Sequence, residues 1–347
     1  MNLTISVIIP NHNGAATIGL CLEAALASKY GAFEVIVVDD CSTDNSVEII
    51  NRYPCKLVRL PRHAGTSIAR NTGAADAQGE ILFFTDADCL LQENTLAEVG
   101  RCFREKEGRM IIGGTYTAKP YDQGFFNMFQ SVFVHYAELK KADDPDYVAA
   151  HAMAVCSRIF RNSGGFPEDF LPIIEDIEFS HRLKRHGYRL HIDPVIQVRH
   201  IFAFSLLGSM KNAFVKTREW TVYSLANRDL LVDSGCASLE LKCNALAFVV
   251  TLIVFFTLFF SQSVSGFYFL LLTPTLINLL INRNFLTLLQ TTGGILYAFF
   301  AGFYYLFVYP LAVVIGCLAG IGKYPSYRTL PHYCPRGLLV GKNTVSD

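Results

Sequence analysis

The stretch that decides the fold is Ile81-Leu82-Phe83-Phe84-Thr85-Asp86-Ala87-Asp88, an apolar strand followed by two carboxylates one residue apart. Along an extended chain every second side chain points to the same face, so Asp86 and Asp88 are able to face one ligand. Hard divalent cations take oxygen ligands of this kind. An Asp-x-Asp sequence is also common in solvated turns, so its meaning depends on its surroundings.

Upstream of this stretch, short apolar runs alternate with helical patterns. Strands are predicted at residues 5–9, 34–38, 56–59 and 81–85, and helices at about 16–28, 45–52 and 66–77. Strands that are apolar on both faces and alternate with helices are typical of a parallel sheet covered on both sides. The sequence therefore predicts an α/β domain with a mainly parallel, Rossmann-like sheet.

Polar residues follow three of these predicted strands. Pro10-Asn11-His12-Asn13 comes after the first, Asp39-Asp40 after the second and Asp86-Ala87-Asp88 after the fourth. Ligands of open α/β sheets bind at the carboxyl ends of the strands. We therefore expect a binding site at this edge of the sheet.

The composition indicates a protein that lies partly in lipid. Hydrophobic residues make up 51% of the 347 and charged residues only 17%, with a formal net charge of zero. That balance gives no general attraction to nucleic acid, and no nucleic-acid partner is expected. The ten cysteines are scattered without a C-x-x-C pair, which argues against a zinc ribbon or a disulfide framework.

The membrane segment is predicted between Lys242 and Lys323, where Arg283 is the only charged residue. A helix needs about 20 mostly apolar residues to cross the hydrocarbon core. Residues 244–261 and 264–281 are two such spans, expected to form a hairpin. Residues 285–321 supply one or two more crossings, with Gly293-Gly294 and Pro310 as candidate breaks. We expect three or four crossings in all.

The expected orientation follows from the N-terminal segment and from the position of Arg283. The N-terminus begins with a strand-like segment and lacks the long apolar run of a cleaved signal peptide. Positive charges of membrane proteins favour the cytoplasmic side, which suits Arg283 after two crossings. The sequence predicts an integral protein of the inner or plasma membrane whose α/β domain is cytoplasmic.

The motifs of residues 6–13, 37–44, 69–73 and 86–88 together resemble the family 2 glycosyltransferases, which have the GT-A fold. The resemblance extends over residues 3–200. It implies a nucleotide-sugar donor, UDP- or GDP-linked, and a Mn²⁺ or Mg²⁺ cofactor. It also implies donor-side roles for Pro10 and His12 near the base or ribose, Asp40 on the base, Arg70 close to the nucleotide, Asp86 near the ribose and Asp88 on the metal. Asp39 is assigned to the nucleotide site, with a helix N-terminal carboxylate as the alternative.

The same resemblance assigns His200 as a second metal ligand, since many GT-A enzymes supply a histidine at this position. A structural role for His200 is the alternative. Glu175-Asp176 follows a Gly-Gly-Phe segment and marks the acceptor side, with Asp176 as the base of an inverting transfer. Asp176 also has an alternative, as a helix N-terminal acid that the helix dipole stabilises.

Trp220 ends the run Lys216-Thr217-Arg218-Glu219-Trp220, which partly resembles the Gln-x-x-Arg-Trp signature of processive family members. Lys216 stands where that signature has Gln, and Glu219 stands where it has Arg. Trp220 is assigned to the acceptor side, and a tryptophan that anchors its helix at the bilayer surface is the favoured alternative.

These observations predict four regions. They are a GT-A catalytic domain over 1–200, interfacial amphipathic helices over 201–242 (with a packing helix of the soluble domain as the alternative), transmembrane helices over 243–322 and a polar tail over 323–347. The expected function is inverting transfer of a sugar to a polyprenyl phosphate or lipid-linked glycan, in cell-envelope glycan biosynthesis. The alternatives are a processive polysaccharide synthase and a catalytically silent GT-A-like membrane scaffold.

Overall fold

The computed structural model describes residues 3–105, 110–169, 171–261 and 268–328. Its sheet has the strand order β3-β2-β1-β4-β7-β6-β8-β5. The pairs among β1 to β4 are parallel, whereas β7 runs antiparallel to β4 and β6. The strands are β1 Ile5–Asn11, β2 Phe33–Asp39, β3 Lys56–Arg59, β4 Ile81–Phe84, β5 Cys89–Leu91, β6 Met110–Tyr116, β7 Met153–Cys156 and β8 Arg189–His200.

Helices cover both faces of this sheet, as the apolar strands predicted. Successive strand residues point to opposite faces, so Phe83 packs in one hydrophobic cluster while Leu82 and Phe84 pack in the other. The predicted α/β class is confirmed. The helices of this domain are α1 Ile18–Leu26, α2 Ser46–Ile50, α3 Thr66–Asp76, α4 Thr95–Glu105, α5 Phe125–Leu139, α6 Ser157–Asn162 and α7 Glu175–Arg185.

The C-terminal region is helical. It consists of α8 Leu206–Asn227, α9 Leu239–Ser261, α10 Tyr268–Ile281, α11 Arg283–Phe303 and α12 Tyr309–Arg328. By length and composition, two segments of the described chain could cross a membrane, Leu239–Phe260 and the 45-residue Arg283–Tyr327. The predicted hairpin connection at 262–263, the first four residues of the second predicted span and most of the polar tail, residues 329–347, lie outside the described residues.

The longer segment changes direction within its length. Gly294 has φ 83° and ψ 172°, a conformation open to glycine because it has no Cβ. The predicted break at Gly293-Gly294 is therefore confirmed. Just before Pro310, Tyr304–Val308 forms a π-helical turn.

A buried polar network joins α9, α10 and this π-helical turn. Asn278 Nδ2 donates to Asn244 Oδ1 at 2.8 Å, and Asn244 Nδ2 donates to the Tyr305 carbonyl oxygen at 2.7 Å. The Tyr305 hydroxyl donates in turn to Asn282 Oδ1 at 2.9 Å. Amide side chains that bond across helices satisfy polar groups that lipid cannot. The network therefore fixes how these helices pack.

α8 packs lengthwise against α12. A Cβ added at Gly316 or at Gly320 would lie 2.7 Å from a backbone carbonyl oxygen of α8, so only small residues allow the two backbones to approach this closely. Glu219 of α8 is fully buried and pairs with Lys323 of α12 at 2.7 Å. These contacts fix the position of α8, which lies between the sheet domain and α12.

Candidate active site

The first group of predicted donor residues lies where β1 and β2 end, and Asp39 organises the loops there. Its side chain is fully buried. Asn11 Nδ2 donates to Asp39 Oδ1 at 3.0 Å, and the Ser42 backbone N–H donates to Asp39 Oδ2 at 3.2 Å. Pro10 precedes Asn11 in β1 and pairs with Val38. Asp39 thus holds the loop after β2 against the end of β1.

Asp40 closes the loop that leads into α3. Its carboxylate accepts hydrogen bonds from the Ala64 and Gly65 backbone N–H groups at 2.7 and 2.8 Å. His63 Nδ1 lies 2.9 Å from the same carboxylate. His12 Nδ1 lies 2.7 Å from the Asp40 carbonyl oxygen, and the two exposed imidazole rings lie 4.2 Å apart. His12 and Asp40, which are predicted to lie near the base, therefore lie together with His63. The rings of His12 and His63 are exposed there.

Arg70 of α3 connects the end of β4 to the start of α7. Its side chain is only 5% exposed. One terminal nitrogen donates to Asp86 Oδ1 at 2.6 Å and the other donates to Glu175 Oε1 at 2.7 Å. The planar guanidinium has donors for both partners at once. Residues predicted for the donor side and for the acceptor side are thus joined through one side chain.

Asp176 lies beside this group, in the first turn of α7. Its Oδ2 accepts from the Ala150 backbone N–H at 3.0 Å, and its Oδ1 accepts from the Ile177 N–H within its own helix at 2.8 Å. Burial and then the neighbouring Glu175 carboxylate raise the pKa of Asp176 to about 6. Such a carboxylate is mostly ionised at neutral pH and is still a competent proton acceptor.

The predicted metal ligands also lie together. Asp88 Oδ1 is 3.4 Å from His200 Nε2, and these atoms form a cluster with Cys89 Sγ in which all lie within 4.8 Å of one another. Burial and then Asp86 raise the pKa of Asp88 to about 7, while burial lowers the pKa of His200 to about 3. A divalent cation would offset the repulsion between the Asp86 and Asp88 carboxylates and would bind the neutral imidazole of His200. Mn²⁺ accepts both ligand types.

A cavity of about 650 Å³ opens beside these groups. Its polar end is lined by Arg70, Asp86, Glu175 and Asp176. Its apolar end lies between α9 and α12 and is lined by Ala245, Leu246, Val249, Val313, Val314 and Leu318. The donor-edge and metal residues Pro10, His12, Asp39, Asp40, Asp88 and His200 lie outside the lining. The site therefore has two sides, which meet at Arg70 and Asp86.

Trp220 lines this cavity from α8. Its ring is half-buried and lies 5.9 Å from the ring of Tyr147. Trp220 thus lines the same cavity as Glu175 and Asp176, and its acceptor-side role stays a prediction. Glu219, at the position where processive enzymes have Arg, is instead bound to Lys323.

The sequence did not single out three further lining residues, Tyr116, Glu138 and His151. His151 Nε2 lies 3.4 Å from Glu138 Oε1, and the His151 ring stacks on Tyr116 at 4.1 Å. The one available signal is that Glu138 lies four residues after the buried Val134, on the inner face of α5. A charged residue on such a face is unusual.

Comparisons with known proteins identify the first half of the chain. Residues 6–163 match the family model described as Glycosyl transferase family 2. Glycosyltransferase GlyG of Streptococcus pneumoniae serotype 4 is 30% identical over 131 residues, which are 36% of this chain and 44% of that protein. The poly(ribitol-phosphate) beta-N-acetylglucosaminyltransferase TarP of Staphylococcus aureus is 31% identical over 116 residues, 31% of this chain and 36% of TarP. The chain thus spans less than half the length of these relatives.

The fold extends over a larger part of the chain than these sequence matches. The mannosyltransferase PcManGT of Pyrobaculum calidifontis, solved in complex with GDP-Man and Mn²⁺, superposes with a TM-score of 0.57 at 18% identity. The superposition covers 94% of this chain and 88% of PcManGT. The predicted family and fold are confirmed: residues 6–163 belong to family 2 of the glycosyltransferases, with the GT-A fold, and a helical C-terminal region follows.

Proposed function

We propose that this glycosyltransferase is bound to a membrane and transfers a sugar, with inversion, from a nucleotide-sugar to a lipid-linked acceptor at the cytoplasmic face. The acceptor is a polyprenyl phosphate or a lipid-linked glycan. The observation that carries the proposal is the continuous cavity, which runs from Arg70 and Asp176 to the apolar walls of α9 and α12. One amphipathic molecule fits such a cavity, with its reactive end at Asp176 and its chain between the helices.

The surface of α9 supports a membrane setting. The most apolar 18-residue stretch of α9 has a mean hydropathy of 2.4, and only 6% of that stretch is buried. Leu246, Phe259 and Phe260 are 65%, 68% and 77% exposed. Apolar surface of this extent calls for lipid or a partner, and α9 is long enough to span the hydrocarbon core.

Lipid facing α9 also has a route to the site. Leu241, Ala245 and Val249 line the cavity from one helix face, over a rise of about 12 Å. An acyl or prenyl chain between α9 and α12 would therefore lie in the cavity with its head group toward Asp176.

On the donor side, Asp88 and His200 would hold Mn²⁺ or Mg²⁺, and Asp86 would contact the ribose. When bound, the cation neutralises charge on the diphosphate leaving group as a Lewis acid. Arg70 keeps Asp86 and Glu175 in fixed positions on either side of the reacting centre. His12 and Asp40 lie at the sheet edge, where the base would bind.

Asp176 supplies the acid–base chemistry. The acceptor hydroxyl oxygen attacks the anomeric carbon from the face opposite the diphosphate, and the carbon–oxygen bond to the diphosphate breaks with its electron pair leaving on the diphosphate. The hydroxyl proton passes to the Asp176 carboxylate. A phosphate acceptor is already ionised, and Asp176 would then only orient it.

Narrowing the apolar part of the cavity tests whether the acceptor carries a lipid chain that binds there. Ala245→Phe places a ring in the apolar part of the cavity, and steric overlap that costs about 1–3 kcal/mol raises the acceptor KM by about 5- to 140-fold. Val250→Phe on the same helix is the control, because Val250 is 39% exposed and does not line the cavity. The measurement is transfer of labelled sugar from UDP- and GDP-sugars to polyprenyl phosphate and to polyprenyl diphosphate sugars. Equal KM values for the two variants would contradict the proposal, and a product ladder would indicate a processive synthase.

The metal assignment has its own test. Asp88→Asn removes an anionic oxygen ligand, so we expect kcat/KM to fall by about 100-fold or more. Calorimetry of nucleoside diphosphate binding with and without Mn²⁺ checks the cause, because the variant should lose the Mn²⁺-dependent part. The exposed Asp76, paired with Lys56 at 3.1 Å, gives the control Asp76→Asn. Full activity in Asp88→Asn would refute the assignment.

A further inference from the structure

Two buried titratable side chains at the polar end of the cavity have no role in the mechanism above. They are Glu138, in the last turn of α5, and His151, in the short helical turn before β7. Glu138 is 6% exposed and His151 is 7% exposed. Both line the cavity together with Asp176, whose carboxylate is bound by the backbone of Ala150, the residue before His151.

The polar atoms of this pair are not all used. Glu138 Oε2 and His151 Nε2 are buried, and neither has a hydrogen-bond partner within the described residues. The pair itself is loose, with 3.4 Å between Nε2 and Glu138 Oε1. Leaving buried polar groups without partners costs free energy, and native proteins rarely do so without a reason. Both residues line the cavity, so a molecule bound there is a candidate partner for the pair.

A second, partly buried histidine–carboxylate pair shows the contrast. His181 Nε2 lies 3.0 Å from Asp146 Oδ2, and His181 Nδ1 lies 2.8 Å from the Tyr223 hydroxyl. Ser234 donates to the same Asp146 oxygen. This pair does not line the cavity. Both imidazole nitrogens of His181 therefore have partners at 3.0 Å or less, unlike Nε2 of His151.

The chemistry of the pair selects among the possible head groups. A carboxylate oxygen accepts hydrogen bonds, and an imidazole nitrogen donates or accepts according to its tautomer, so a hydroxyl group satisfies either. An ionised phosphate offers only acceptors and adds negative charge beside Glu138 and Asp176. Arg70 is already engaged by Asp86 and Glu175, so the compensating charge for a phosphate would have to come from Lys216 of α8 or Lys242 of α9, which also line the cavity. Hydroxyl groups therefore fit this end of the cavity better than a phosphate does.

We propose that Glu138 and His151 bind hydroxyl groups of the acceptor's terminal sugar and so hold its reacting hydroxyl at Asp176. The acceptor is then a lipid-linked glycan and not a polyprenyl phosphate. Stacking against Tyr116 fixes the plane of the His151 ring for this purpose. The inference rests on the proposed function and names the substrate class of the same site.

The experiment uses the full chain in lipid nanodiscs with a UDP- or GDP-sugar donor. The lipid acceptor probes have one prenyl length: the polyprenyl monophosphate, and polyprenyl diphosphates that carry glucose, galactose or N-acetylglucosamine. The methyl glycosides of the same three sugars are the soluble probes. We expect transfer to a glycosylated probe, with an acceptor KM raised about tenfold or more in Glu138→Leu and in His151→Leu and a donor KM within twofold of the parent. Glu138→Gln, which keeps an acceptor oxygen, should restore part of the loss. His181→Gln is the matched control and should leave both KM values unchanged.

Each outcome bears on a different statement. Efficient transfer to the monophosphate, with unchanged acceptor KM in the variants, overturns the hydroxyl assignment and leaves the proposed function standing. Transfer only to a soluble glycan, with the KM effects present, supports the hydroxyl assignment and overturns the lipid acceptor. No transfer to any probe overturns both. If a leucine variant fails to fold, as judged by its thermal unfolding, Glu138→Gln and His151→Gln carry the test.

Discussion

Asp176→Asn lowers kcat for sugar transfer by about 10²–10⁴-fold, the range that general base catalysis contributes. The amide has the same size and keeps an oxygen for the Ala150 N–H bond of 3.0 Å. It cannot take up the proton of the attacking hydroxyl. Because Asp176 lies on the acceptor side, we expect the affinity for the nucleotide-sugar to stay within about twofold, so the loss appears in kcat.

The pH dependence of kcat tests whether Asp176 is the base. Asp176 acts as a base only when ionised, and its pKa is raised to about 6. The kcat of the parent enzyme should therefore fall as the pH drops through 6, by about tenfold per unit below it, and stay level above pH 7. Asp176→Asn should lose this limb, whereas the control Asp169→Asn, at an exposed position in the preceding loop, should keep it. An undiminished kcat in Asp176→Asn, or an unchanged acid limb, would contradict the role of Asp176 as base.

The first four strands could be predicted from the sequence because their pattern is local. Residues 81–84 are buried on both faces, so a continuous apolar run is what a central parallel strand needs. The polar residues that end these strands share one edge because parallel strands in register end together. Asp39, Asp40 and Asp86 therefore reach the same side of the sheet.

The acceptor side could be predicted only in part. Glu175-Asp176 stood out through its motif, but Glu138 and His151 meet only because α5 and the segment before β7 cross in three dimensions, which no local pattern records. The contact between α8 and α12, which form part of the cavity wall, could also not be predicted from a local pattern. The sequence predicts a helix at α8, but its packing against α12 depends on Gly316 and Gly320, whose small size is needed only once the two helices are in contact.

Arg70→Met lowers the free energy of unfolding by about 3–5 kcal/mol, because removing one partner of a buried ion pair leaves the other charge unpaired. Here two carboxylates, Asp86 and Glu175, lose their partner together, and the Arg70 side chain is only 5% exposed. Arg101 offers a control with more ion pairs and less burial. It contacts Glu98, Glu105 and Asp193, yet its side chain is 40% exposed. Arg101→Met should therefore cost only about 0–1 kcal/mol.

Arg70→Lys separates charge from geometry. Lysine keeps the positive charge but has a single nitrogen, which cannot bridge Asp86 and Glu175 in the planar manner of a guanidinium. We expect this variant to recover part of the stability and little of the activity, because the two carboxylates would no longer be held in one arrangement. Stability is measured by chemical denaturation in detergent, and activity by kcat/KM for donor and acceptor separately. A lysine variant with full activity would show that charge alone suffices.

The pH profile of Arg70→Met connects its two effects. The guanidinium counteracts the burial that raises the pKa of Asp176, so its removal moves that pKa above 6. The acid limb of the kcat profile should then move to higher pH, and more of the enzyme would be inactive at pH 7. Arg101→Met should leave the limb in place, because Arg101 does not line the cavity. A limb that stays at pH 6 in Arg70→Met would mean that Arg70 acts on stability alone; a shifted limb ties donor and acceptor sides together through one buried side chain.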